Sequence, residues 1–211
     1  MQLTHFGHAC VLVETATARL LIDPGTLASG FEPARDLDAV LITHQHPDHL
    51  DLARLPGLLA ANPSALLLVD AGSAPLVRDA GLPHSVIGPG DRMSAGGARI
   101  DGIGGEHALV HADIPVVPNG ALVIDEGAFY HPGDSWVVPE QDIDVFGLPA
   151  SGPWVKVGEA VDFMRAVASR IAVPIHEAAL ASTATHYAIL SGLSPEATAF
   201  TPLAHSVATE L

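Results

Sequence analysis

The sequence predicts an α/β (α+β) fold in which two β-sheets are sandwiched between helices, four layers in one domain spanning residues 1–211. Three observations carry this. Short apolar runs bounded by Gly, Pro, Asp and Asn recur along the chain, as strands do. They fall into two β-rich blocks, each followed by a mixed stretch that includes helical segments. The length of 211 residues, 48% hydrophobic and 16% charged, suits a single well-filled core.

Leu3–Phe6, Ala9–Glu14 and Arg19–Ile22 read as short strands. Asp23-Pro24-Gly25 then breaks the pattern, and residues 24–36 read as a loop. Ala39–Thr43 is almost wholly apolar, as expected of a buried strand. Residues 50–60 read as a helix that Pro56-Gly57 should kink or split. Leu66–Val69 is another buried strand and Ala74–Ala80 a helix. Ser85–Ile87, Arg92–Ser94, Arg99–Ile103, Ala121–Ile124 and Ala128–Tyr130 form a β-rich middle, with Asp125-Glu126-Gly127 as a hairpin turn. Asp144–Leu148 is a strand. Glu159–Ser169 is the clearest helix, with Val161, Met164, Ala168 and Ile171 near one face. Ile171–His176 is a strand that ends on a histidine, and His186–Leu190 reads as helical. No linker, low-complexity block or solenoid-length repeat interrupts this order.

Composition limits the function. Nine Lys and Arg stand against 24 Asp and Glu, a formal charge of −15. A nucleic-acid partner needs a basic footprint, and none is present. The acidic balance also disfavours anionic lipid. The longest apolar runs, such as Ala65–Val69, are too short to span a bilayer, so no membrane insertion is expected. The N-terminus carries neither a basic segment nor a long apolar one of the secretory kind. Cys10, the single cysteine, lies in an apolar run and reads as a buried structural thiol. This fits a cytoplasmic protein. A small-molecule substrate remains, including a phosphate-bearing one where metal ions dominate the local field. The sequence leaves a homo-oligomer open.

The 12 histidines outnumber Lys and Arg together. His44-Gln45-His46-Pro47-Asp48-His49 directly follows the strand Ala39–Thr43. Just past a strand end, residues 44 and 46 can point the same way and grip one ion. Pro47 bends the chain and offers Asp48 and His49 in another direction, so two neighbouring ions could share the loop. Imidazole with carboxylate suits two divalent metal ions, zinc first, with manganese or iron as alternatives.

This motif, two histidines one residue apart and then Asp-His, resembles the signature of the metallo-β-lactamase superfamily, whose fold is the four-layer αββα sandwich. The resemblance implies that His44 and His46 bind one metal and that Asp48 and His49 serve a second. It also implies three downstream ligands. His107 in Gly104-Gly105-Glu106-His107 completes the first site, preferred over His111 because the glycine pair lets backbone approach a metal. Asp134 in His131-Pro132-Gly133-Asp134 bridges the ions, and His176 completes the second site. Gly7-His8 followed by Leu21-Ile22-Asp23-Pro24, and Leu148–Trp154, are similar to the branch that holds ascorbate-phosphate lactonase and N-acyl phosphatidylethanolamine phospholipase.

The activity so implied is hydrolysis of a small-molecule ester-like bond, a lactone or phosphoester, by water activated between two metals. Asp48 is the catalytic candidate, as ligand, orienter of the nucleophile and proton carrier. His8, Asp23, His131, Trp154 and Lys156 are expected beside the ligands or the substrate. Asp23 would orient a ligand, Trp154 would wall the pocket, and Lys156 is the best single anion contact. Ser135 has no partner base in a recognisable motif and is not a nucleophile candidate. His5, His84, His186 and His205 read as surface or structural. Two rivals are a non-catalytic metal-binding or scaffold protein on the same fold, and a flavodiiron-type redox protein.

Overall fold

Side-chain alternation within the strands sets the layers. In the computed structural model, which describes residues 1–211, the first sheet is built from β1 (Gln2–His5), β2 (Val11–Glu14), β3 (Arg19–Ile22), β4 (Ala39–Ile42), β5 (Leu66–Val69) and β6 (Ser85–Val86). The second contains β7 (Arg92–Ala95), β8 (Ala98–Ile103), β9 (Ala121–Ile124), β10 (Phe129–His131), β11 (Val145–Pro149) and β12 (Ile171–Ile175). Two short strands, β13 (Ala199–Phe200) and β14 (Thr209–Glu210), add an edge to the second and first sheets respectively. The orders are β14-β1-β2-β3-β4-β5-β6 and β13-β12-β11-β10-β9-β8-β7. In each sheet one half is antiparallel and the other parallel, β3 to β6 in the first and β10 to β13 in the second.

Successive strand residues point to opposite faces. Ala39 and Leu41 of β4 join Leu122, Ile124, Val173 and Ile175 in the apolar layer between the sheets. Val40 and Ile42 face the other way, onto Leu55, Leu58 and Val77 of helices α1 (Leu55–Ala61) and α2 (Ala74–Asp79). In the second sheet Val123, Phe146 and Ala172 turn outward to Ala160, Phe163, Met164 and Leu190 of α3 (Val157–Val167) and α4 (Ala184–Gly192). Three apolar layers thus separate four structural ones, the αββα sandwich. The strands buried along their whole length, among them β4, β9, β11 and β12, carry unbroken apolar runs. Cys10 is fully buried, and its thiol is pushed well up by desolvation.

Several boundaries differ from the sequence reading. The first helix begins at Leu55, and Pro56 sits in its first turn instead of kinking it. A first-turn residue has no intrahelical acceptor for its N–H, so proline costs nothing there. The preceding residues form a turn in which the Asp51 carboxylate accepts from the N–H groups of Ala53 and Arg54. The third helix is Val157–Val167, ended by Ala168 in the left-handed region. Residues 125–127 form a 3-10 turn between antiparallel β9 and β10, which pair as Phe129 with Ile124. No helix is long and apolar enough to cross a membrane.

Phe129 has no exposure and lies between the sheets. Phe129→Ala should lower the unfolding free energy by about 3–5 kcal/mol. Urea denaturation checks this, and a loss below about 1 kcal/mol would contradict the packing described.

Candidate metal centre

The centre gathers where strands end. His44 lies two residues past β4, His107 follows β8, Asp134 follows β10 and His176 follows β12 directly. The loop after β4 is held from below by Asp23, which has no exposure and lies just past β3. One Asp23 oxygen accepts from the Thr43 N–H at 2.8 Å, and the other from the Thr43 hydroxyl at 2.7 Å. That second oxygen also meets His49 Nδ1 at 2.7 Å. His49 donates there, which fixes its tautomer and turns Nε2 toward the centre. Gly25 lies against the loop so closely that a Cβ would fall 1.8 Å from the Asp48 carbonyl oxygen. Arg54 donates to the Gly25 carbonyl at 2.5 Å and to Asp51 at 2.6 Å, tying the start of α1 to the same turn.

The downstream residues are each fixed twice. His107 donates from Nδ1 to the Ala108 carbonyl at 2.6 Å, leaving Nε2 to face Asp134 at 3.2 Å. Gly104 has φ +73°, and a Cβ there would meet Val137 at 2.9 Å, so this glycine serves the turn and not close approach to a metal. His111 is exposed and pairs with Asp113 at 3.6 Å. The Asp134 N–H donates to Asn119 Oδ1 at 3.0 Å, and Trp154 Nε1 donates to Asp134 Oδ2 at 2.9 Å. His176 has φ +62°, its N–H donates to the His8 carbonyl at 2.8 Å, and its own carbonyl accepts from the Ser151 hydroxyl at 2.5 Å.

Two groups of donors result. His44, His46, His107 and Asp134 form one; His8, Asp48, His49 and His176 form the other; within each, the potential ligand atoms lie within 4.8 Å of one another. Asp134 belongs to both by distance. Its Oδ2 lies 3.2 Å from His107 Nε2 and 3.2 Å from His176 Nε2, and its Oδ1 lies 3.1 Å from His49 Nε2. His8 reaches Asp48 Oδ2 at 2.9 Å, and its ring lies 3.8 Å from that of His176.

The donor set fits metal ions. His49 Nε2, His176 Nε2 and Asp134 Oδ1 are buried and form no hydrogen bond, although Asp134 Oδ1 and His49 Nε2 are close. An unsatisfied buried polar atom costs about 1–3 kcal/mol, and three aimed at one point need a common partner. A divalent cation coordinated by imidazole and carboxylate supplies it.

Electrostatics divide the ligands. Burial pulls His44 well below the ordinary imidazole value, and the neighbouring His49 adds to the shift. Burial likewise lowers His8 and His46. Burial also acts to lower His49, but the Asp134 and Asp23 carboxylates outweigh it and hold His49 well above the ordinary value. Burial would raise Asp134, yet His49 and His176 keep it well below the carboxylate range. Asp48 is lowered too, because its hydrogen bond to His8 and the charge of His49 offset desolvation.

The remaining candidates separate cleanly. Trp154 is buried, with its ring 5.7 Å from that of His107 and 6.0 Å from that of His176. His131 is fully buried but both ring nitrogens are engaged, Nε2 donating to the Ala9 carbonyl at 2.9 Å and Nδ1 accepting from the Gly133 N–H at 3.1 Å. It holds the Asp134 turn and does not face the donor groups. Lys156 is not brought to the centre. Its side chain is 86% exposed and ion-pairs with Glu159 at 3.7 Å, and its backbone N–H donates to the Glu159 carboxylate at 3.0 Å at the start of α3. His5 donates to the His8 carbonyl at 2.8 Å, and His205 to that of Phe6 at 3.1 Å. Sequence reasoning missed Gly25, Arg54 and Asn119. Gly25 had a signal in Asp23-Pro24-Gly25; the other two had none.

Two outcomes follow. The raised pKa of His49 leaves it protonated at neutral pH without metal, whereas His44 is neutral there. Metal uptake near pH 7 should therefore expel the His49 proton, and affinity should rise with pH. Calorimetry in buffers of different ionisation enthalpy reads the release; none detected would refute the His49 assignment. Asp23→Asn should weaken metal binding by about 10–100-fold by releasing His49, as measured by chelator competition.

A model of the family described as "Beta-lactamase superfamily domain" matches residues 2–176. The chain is 46% identical over 188 residues to Protein Rv0786c of Mycobacterium tuberculosis, covering 87% of each chain. It is 31% identical over 199 residues to a UPF0173 metal-dependent hydrolase of Pyrobaculum arsenaticum, covering 83% of this chain and 84% of that one. Among solved structures, Igni18, a metallo hydrolase of Ignicoccus hospitalis, matches with a TM-score of 0.74 at 20% identity, over 100% of this chain and 98% of that one. With strand-end donor groups, fold and family model in agreement, the chain belongs to the metallo-β-lactamase superfamily, as a metal-dependent hydrolase.

Proposed function

We propose that this chain hydrolyses an ester-like bond, lactone or phosphoester, in a small molecule, as the branch resembling ascorbate-phosphate lactonase and N-acyl phosphatidylethanolamine phospholipase would. The observation that carries the reading is the position of Asp134, whose carboxylate lies within 3.2 Å of histidines from both donor groups. His44, His46, His107 and Asp134 would hold one ion, and Asp48, His49, His176 and Asp134 the other, with His8 fixing Asp48. Zinc suits this set best, since imidazole and carboxylate are its usual oxygen and nitrogen donors. Bound divalent ions supply a water of lowered pKa and a Lewis acid for the scissile group.

The chain's own residues supply position and proton handling. His46 and Asp48 are the only members of the two groups that are not buried, so the reacting molecule meets the centre on their side. The Asp48 side chain is 28% exposed and anchored by His8, which sets it to orient the attacking water and carry its proton to the leaving oxygen. Trp154 closes the opposite wall and locks Asp134 Oδ2.

Purified protein reconstituted with zinc should hold about two ions per chain and turn over members of a panel of lactones, phosphodiesters and thioesters. A chain that takes up no metal sinks the proposal. Asp134→Ala should lose the second ion and most activity. Asp48→Asn should reduce kcat by about 100-fold or more with one ion still bound, whereas unchanged turnover would remove Asp48 from the mechanism.

A further inference from the structure

The connection from Gly104 to Gly120, between β8 and β9, carries His107 and then forms a flap beside His46. Its stem is paired: Glu106 bridges Pro118, the His107 N–H donates to the Val117 carbonyl at 3.0 Å, and the Asn119 N–H to that of Gly105 at 3.2 Å. Its tip is not tied down. From Leu109 to Val116 the backbone hydrogen bonds run only within the tip, from the Ile114 N–H to the His111 carbonyl at 2.9 Å and from the Asp113 N–H to His111 Nδ1 at 3.1 Å.

The tip is apolar where a loop is usually polar. Leu109 is 61% exposed, Ile114 50% and Val116 46%. Single exposed apolar residues are ordinary, but these are grouped on one element. Together with Val110 and Pro115, Ile114 and Val116 line a cleft whose other wall is His46 and His107. The apolar surface is therefore continuous with the donor group that faces solvent. The cleft is narrow, about 20 Å³, little more than one water molecule. Anything larger fits there only if the tip shifts, and no hydrogen bond from the rest of the chain holds residues 109–116 in place.

Charge decides what kind of ligand. No lysine or arginine lines the cleft. The basic side chains are engaged elsewhere, Arg19 with Glu14, Arg54 with Asp51 and Glu32, Arg99 with Asp101 and Glu126, and Arg170 with Asp144. The flap itself adds Glu106 and Asp113, both exposed. A phosphate or carboxylate on the part of the substrate that lies against the flap, away from the ions, would meet acidic groups and no basic side chain.

We infer that residues 108–117 are the specificity element of the centre, and that they bind an uncharged alkyl or aryl substituent of the substrate. Resting on the hydrolase reading, this gives the substrate an apolar arm beside its scissile bond, as in an alkyl-substituted lactone. Opening such a lactone adds one water. The acyl C–O bond breaks, a C–O bond forms to the water oxygen, and the released ring oxygen takes a proton to leave a hydroxy acid.

The test uses zinc-loaded protein and 2-alkylcyclopentanones, neutral lactone mimics that cannot be hydrolysed, from methyl to hexyl. Methyl NMR of Ile114 and Val116 reads binding. Affinity should rise by about twofold to fourfold per methylene, and a ketone of the same chain length whose alkyl chain ends in a carboxylate should bind at least about tenfold more weakly than hexylcyclopentanone, because the charge then lies against the apolar, acidic flap and not on the ions. Ile114→Ser, followed on Val116, and Val116→Ser, followed on Ile114, should each flatten the series while the methyl member keeps its affinity; both sites are exposed. A flat series in the parent protein, or the carboxylate-ended ketone binding as well as hexylcyclopentanone, overturns the flap assignment. Turnover of the matched lactones is measured separately. Turnover with a flat ketone series overturns the flap alone, whereas a graded series without turnover overturns the hydrolase reading and supports the flap as a binding element.

Discussion

Asp134 is the constraint on which the centre depends. It is a carboxylate with almost no access to water, and such a group persists as an anion only when positive charge and hydrogen bonds surround it. Here the compensation comes from His49, His107 and His176 and from the Trp154 indole, while Asn119 holds the turn in place. Each of these in turn needs its own support, which Asp23 gives to His49 and Ser151 to the His176 backbone. Removing the supports would leave a buried charge, so the stability of this region and its affinity for cations are one property.

The sandwich supplies what such a cluster cannot supply for itself. Imidazoles and carboxylates packed together would hydrate or repel one another on a mobile surface. Here they hang from the ends of β4, β8, β10 and β12, whose buried faces pack into shared apolar layers. The strands cannot shift individually without opening voids in the layer between the sheets. The position of Asp134 relative to His49 is therefore set by residues such as Leu41, Phe129 and Val173, which never approach a ligand.

How much of this is legible in the sequence depends on the range of each interaction. The segment His44 to His49 declares itself, because four donors in six residues after an apolar strand are a local pattern. The strands and the larger helices are equally local, carried by apolar runs and one amphipathic face. His107, Asp134 and His176 are dispersed along the chain, and only the family resemblance singles them out. Their neighbours are less legible still. Arg54 reads as a surface cation, yet it clamps Gly25 beneath the metal loop. Asn119 reads as a loop residue, yet it fixes the Asp134 turn from both sides. Lys156 reads as an anion contact from its nearness to Trp154 in sequence, but the start of α3 turns it to Glu159. The two-residue strands β13 and β14 are too short for any alternation to show. His8 lies between these cases: Gly7-His8 marks it as notable, and only the return of β12 against it brings its ring onto His176.

The centre is asymmetric, and the asymmetry is chemical. Its inner wall is sealed by Trp154 and by strand ends, whereas its outer side exposes His46 and Asp48 alone. A sealed, low-dielectric wall strengthens every charge interaction at Asp134, and the open side admits water and substrate. Without a cation in the cleft, recognition of the rest of the substrate falls to shape and apolar contact. The net charge of −15 then works in one direction, disfavouring anions as they arrive and favouring their departure as products. Close to the donor groups bound divalent ions would reverse that field, so the acidic surface acts on approach and release while the ions would act on the scissile group.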